Sequence, residues 1–199
     1  MPSLRRLLPF AFLLLAVPVH ATPPATTPAL EQLGFDPAVL VADGRELLLR
    51  APDRTIDGLF QAVHAAASSP GEAAALCGLF DGGGARGVAD MNAAAQGLAP
   101  ESRERFALAV AEVLVEATRN PPQPFDADEA RQALQRAGAT AAILHEDFLP
   151  GLQDDAGDGR CRSFGMLLDA VAERPLGERA AVTRLLLHEG LSRAAVALR

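Results

Sequence analysis

Apolar residues recur in this chain at helical spacing, in short stretches cut roughly every ten to twenty residues by proline, glycine or an Asx cap. Residues 55–67 place Ile56, Leu59, Phe60 and Val63 on one stripe. In 100–118, Phe106, Val110, Val113, Leu114 and Ala117 line one face. Leu108 and Val115 broaden that face, which predicts a helix in the centre of the fold. Asp36-Pro37 reads as a cap followed by a first-turn proline, opening a short segment to Ala42 that Gly44 interrupts. Residues 45–50 fit either a helical turn or a short strand. Ser69-Pro70-Gly71-Glu72 has capping-box form and leads into a helix carrying Leu76, Cys77, Leu79 and Phe80.

Residues 88–96 read as a further, weakly amphipathic helix, and Pro121, Pro122 and Pro124 make a stiff connector. Asp126 with Glu129 is a second capping pair, opening a helix to Ala137. Residues 140–149 continue helical as far as Pro150-Gly151. Two last helices, 161–173 and 178–197, flank Pro175-Leu176-Gly177. No segment alternates with the period of a strand. The expected fold is all-α, a compact irregular or orthogonal bundle of about 7–9 helices held by one disulfide.

The amino-terminal 21 residues stand apart from this pattern. Arg5 and Arg6 precede an apolar run from Leu7 to Val17, too short to span a bilayer. Pro18 ends it, and Val19-His20-Ala21 offers the small-residue pattern of a signal-peptidase site, so cleavage is expected between Ala21 and Thr22. No cysteine adjoins that site, and no second long apolar run follows it, so the expectation is a Sec-exported periplasmic protein without a lasting membrane anchor. Residues 22–28 read as a disordered Pro/Thr tether. Residues 29–199 read as a single domain, with the connector near 120–125 as the place where two subdomains would part.

Export gives the cysteines their meaning. Cys77 and Cys161 are the only two, and an even count in an oxidising compartment favours a structural bridge. Removing the signal takes two of the 18 basic residues and none of the 25 acidic ones, leaving a net charge of −9. That charge argues against nucleic acid and anionic membranes and leaves room for a basic protein partner. All cations are arginine, in keeping with the heavy Ala, Leu and Gly usage of a GC-rich coding sequence. Trp and Tyr are absent, which disfavours a sugar-binding cleft built on stacking.

Three motifs invite chemistry. Gly82-Gly83-Gly84-Ala85-Arg86-Gly87 matches a dinucleotide fingerprint in letters but follows a helix instead of a strand, so no cofactor is expected. Asp154 to Gly159 resembles the start of a calcium loop. It lacks an acidic residue at Ala156 and the bidentate Glu at Gly165, so no metal is expected there. Leu144-His145-Glu146 and Leu187-His188-Glu189 are paired triplets 43 positions apart. Their convergence would make an acid–base or metal site, although adjacent helical residues diverge by about 100° and chelate one ion poorly.

No nucleophile elbow or Ser-His-Asp pattern is present, and no catalytic residue is expected. The reading is therefore a non-catalytic helical protein acting by protein–protein binding, of the inhibitor, immunity or envelope-adaptor type. The alternatives are a periplasmic chaperone and a small hydrolase using the Leu-His-Glu segments. Intact-mass and amino-terminal analysis of the exported protein is expected to find Thr22 as its first residue.

Overall fold

The computed structural model describes residues 37–80, 88–154 and 157–197. The signal, its cleavage site, the tether and the Gly82–Gly87 segment lie outside the described residues. Among the described residues the chain forms nine α-helices and no strand. They are α1 (Pro37–Arg50), α2 (Asp53–Ala67), α3 (Ala73–Phe80), α4 (Val88–Gly97), α5 (Pro100–Arg119), α6 (Ala127–Leu144), α7 (Phe148–Leu152), α8 (Asp158–Ala172) and α9 (Leu176–Ala197). The all-α bundle and its disulfide are as the sequence predicts.

Several helices start where local chemistry supplies their free amides. Pro100 occupies the first position of α5, where a missing N–H costs nothing. Asp126 caps α6 by accepting from the amides of Asp128 (2.7 Å) and Glu129 (3.1 Å). At α8 the cap residue is Gly157, whose φ of 91° suits a residue without Cβ. Asp154 reaches over from before that turn, and its Oδ2 accepts from the Gly159 amide at 2.7 Å. The carboxylate that resembles a calcium ligand is thus engaged in holding a helix start.

α2, not α5, holds the centre. It packs against α3, α5, α8 and α9. Its Ile56, Leu59 and Ala62 join Leu48, Ala51, Ala109, Val113 and Ala180 in one core cluster. From another side, Phe60 joins Ala133, Ala137, Ala141, Phe148, Leu168, Val171 and Val182. α5 uses Ala109, Val113 and Ala117 inward, while Leu108 and Val115 are 65% and 44% exposed. A wide apolar face shows that a helix is amphipathic, but not how many neighbours it meets.

Glycines that interrupt the sequence pattern do not interrupt helices. Gly44 lies within α1, and a Cβ there would stand 2.9 Å from Leu191 Cδ1, so its bareness admits α9 at close range. α6 runs unbroken through Gly138 and ends at His145, earlier than predicted, while Pro150 and Gly151 fall inside α7. The 69–72 segment is a backbone turn in which the amides of Glu72 and Ala73 donate to the Ser69 carbonyl, so α3 starts at Ala73.

Arginines, one of them buried, tie these helices end to side. Arg184 of α9 is 2% exposed. Its Nε and Nη2 donate to the carbonyls of Leu48 (3.1 Å) and Ala51 (2.6 Å) at the end of α1, and its Nη1 to Asp53 Oδ1 (2.6 Å). Arg179 grips Asp57 through Nε (2.7 Å) and Nη2 (2.9 Å), while its Nη1 donates to the carbonyls of Arg174 (2.7 Å) and Ala172 (3.3 Å) at the end of α8. The hydrogen bond to Asp57 raises the Arg179 pKa further, against the opposing effect of burial. A raised pKa on a cation gives stability that is lost only as pH climbs through it, so this pair stays intact across the neutral range. Arg50 Nε donates to the Ala117 carbonyl (2.9 Å) near the end of α5.

Cys77 of α3 and Cys161 of α8 are bonded, with Cα atoms 5.3 Å apart. Closing a loop of this length stabilises by about 4–5 kcal/mol at most in the chain-entropy model. The connector near 120–125 lies against the first helix, where the Gln123 amide donates to the Leu49 carbonyl at 2.7 Å. α9 packs on α1 and α2 from before it and on α6 from after it. Replacing Arg184 with Met is expected to cost about 3–5 kcal/mol, because Asp53 and two buried carbonyls lose their partner. Chemical denaturation followed by circular dichroism measures it.

Candidate functional site

The end of α6 is built so that large aliphatic side chains face outward. Ala130, Ala133, Ala137 and Ala141 are its buried face. Their small size lets α8 and α9 approach. Ile143 is 83% exposed and Leu144 68%. His145 then leaves the helix with extended backbone, its amide still donating to the Ala141 carbonyl at 2.9 Å. The Phe148 amide donates to the His145 carbonyl, closing a tight corner into α7. Phe148 is the buried anchor of that short helix, and its carbonyl accepts from Ser163 Oγ at 2.8 Å. Leu149 and Leu152 on α7 remain exposed.

The α6–α7 corner thus shows four large aliphatic side chains within ten residues of sequence. Its edge is acidic: Glu146 and Asp147 are both exposed. Asp147 also borders a cavity of about 290 Å³ with Asp154 and Arg162. The sequence carried a signal for part of this corner. Ile143 lies two positions beyond Ala141, so on a helix it points away from the alanine face, whereas Leu144 follows in register with it.

The two Leu-His-Glu triplets are not brought together. α6 and α9 run antiparallel, with Arg136 Nη2 3.4 Å from Glu178 Oε1 and Arg174 Nη2 donating to Thr140 Oγ1 at 3.2 Å. His188 and Glu189 line a cavity of about 520 Å³ with Phe125, Ala127 and Arg131, at the start of α6. His145 terminates the same helix fourteen residues beyond Arg131, about 20 Å along its axis. Among the described residues, no group of three or more His, Cys, Asp or Glu is placed to hold a metal ion.

One histidine contact had no sequence signal. His64 Nε2 lies 2.8 Å from Asp169 Oδ1, joining α2 to α8 across 105 positions, and its ring stacks on Phe60 with centroids 5.7 Å apart. Ser68 Oγ donates to the His64 backbone carbonyl at 2.8 Å, leaving no Ser-His relay through that hydroxyl. Cys161, flanked by Arg160 and Arg162, is committed to the disulfide and offers no thiolate.

No family model matches the chain, no curated protein matches it, and no solved structure matches it. Replacing Ile143 and Leu149 with Ser is expected to lower binding of a hydrophobic fluorescent dye to the native protein. Folding stability should change by less than about 0.5 kcal/mol per site, since neither side chain supports the core. Dye titration beside a denaturation curve checks both.

Proposed function

We propose that this protein is a non-catalytic helical binding domain of an oxidising, extracytoplasmic compartment, and that it docks another protein on the α6–α7 corner. The observation that carries the reading is the outward exposure of Ile143, Leu144, Leu149 and Leu152 at one corner. Clustered apolar exposure with a polar rim is the usual anatomy of a protein-binding patch. Single scattered leucines would carry no such weight.

Charge narrows the partner. Glu146 and Asp147 edge the corner, and the chain beyond residue 21 has a net charge of −9. A partner with an apolar centre and a basic rim fits both, and electrostatic attraction would hasten its approach and weaken with salt. The compartment is proposed from the amino-terminal 21 residues together with the Cys77–Cys161 bond, which persists where thiols are oxidised. In a bacterium that compartment is the periplasm.

The test is affinity capture from envelope extract with the disulfide-bonded protein and with an Ile143→Asp/Leu149→Asp variant of equal stability. The expected result is a stoichiometric, salt-sensitive partner that the variant fails to retain. Absence of any stoichiometric partner, or equal capture by the variant, would overturn the reading.

A further inference from the structure

α3 and α4 pack on each other and form a unit of their own. At Gly97 a Cβ would stand 2.6 Å from that of Ala75, so the bare glycine brings the end of α4 against α3. Among the described residues α4 packs chiefly on α3, while α3 also meets α2 and α8. Neither of the two large core clusters includes a residue from 73–98. The apolar seam to the rest of the bundle is a small separate cluster. In it Leu76 and Leu98 close on Ala66, with Ala67 and Phe106 at the edge.

Arginine, which joins α1, α2, α5, α8 and α9 end to side, is absent from both of these helices: 73–80 and 88–97 contain none. The remaining tie is covalent. Cys77 of α3, only 3% exposed, is bonded to Cys161 in the first turn of α8. α8 is itself held by packing on α6 and α7, by the bond from Ser163 to the Phe148 carbonyl and by the His64–Asp169 contact. The disulfide therefore fastens a lightly packed unit to a firmly held helix.

We infer that this disulfide is a redox latch on the α3–α4 unit: a protein dithiol that reduces it frees the unit while α1, α2 and α5–α9 stay folded. The step is a thiol–disulfide exchange. A thiolate of the dithiol attacks Sγ of half-buried Cys161, the more exposed of the two residues, and Cys77 leaves as a thiolate. The second thiol of the dithiol then displaces Cys161. The reductant ends as a disulfide, and its two protons end on the two cysteines. Opening uncovers Leu76 and Leu98 together with the Ala66 and Phe106 surface beneath them. The bundle keeps both large clusters and the joints made by Arg50, Arg179 and Arg184, since none of these uses residues 73–98. Local opening of a lightly packed unit costs less than unfolding the whole. The latch is separate from the α6–α7 corner, and either assignment stands if the other fails.

Hydrogen exchange read by mass spectrometry tests it, on the disulfide-bonded protein before and after dithiothreitol and on a Cys77→Ser/Cys161→Ser variant. On reduction the amides of α3 and α4 are expected to exchange within about tenfold of the rate of an unstructured peptide. Those of α2, α6 and α9 should stay at least about a hundredfold slower than that rate. The double variant should match the reduced protein without any reductant, and both should bind more of a hydrophobic dye than the oxidised protein. Reoxidation should restore slow exchange in α3 and α4. Protection of α3 and α4 that survives loss of the bond would overturn the inference. So would loss of protection along the whole chain together, which would make the bond a staple of the entire fold.

Discussion

A helix ends in carbonyls that it cannot satisfy itself, and in this fold guanidinium groups from other helices satisfy them. Arg184 serves the end of α1, Arg179 the end of α8 and Arg50 the end of α5. The same planar forks hold Asp53 and Asp57 in the opening turns of α2, where negative charge also suits the helix dipole. One cation thereby fixes the stop of one helix and the start of the next. A lysine could not, because its ammonium lacks the rigid fan of donors needed to reach two carbonyls and a carboxylate together. The arginine-only composition reads in sequence as coding bias, yet at 179 and 184 the guanidinium is what the packing uses.

With the helix ends fixed in this way, the core can be built from small residues. α6 turns four buried alanines inward with half-buried Leu134 packed beside them, so α8 and α9 lie close to it. At its last turn Ile143 points away from this face, and Leu144, though in line with it, is exposed too.

Local features of the fold were legible in the sequence, and distant ones were not. Asp126, Pro100 and the apolar stripe of 55–67 act over a few residues, and each appears where the pattern places it. The Cys77–Cys161 bond followed from compartment and count, which need no geometry. Gly44 was misread as a break because the cost of a glycine, about 1 kcal/mol, is offset by a neighbour, Leu191, that the sequence does not display. α5 was placed centrally because amphipathicity measures one face only. Arg184 and its carbonyl partners are more than 130 positions apart, and His64 and Asp169 are 105 apart, distances over which no motif forms. The exposed corner at Ile143 and Leu144 was not read from the sequence, since Leu144 continues the register of the buried alanines.

The lateness of α9 in the chain has a consequence for how the protein is made. A chain emerges from the ribosome amino end first, yet the joint between α1 and α2 waits for donors that arrive more than 130 residues later. Until then the Leu48 and Ala51 carbonyls are better served by water than by burial, so the joint between α1 and α2 stays incomplete. Cys77 likewise waits 84 positions for its mate. Both closures of the fold, the arginine-held joint and the disulfide, are therefore completed only after most of the chain has been made.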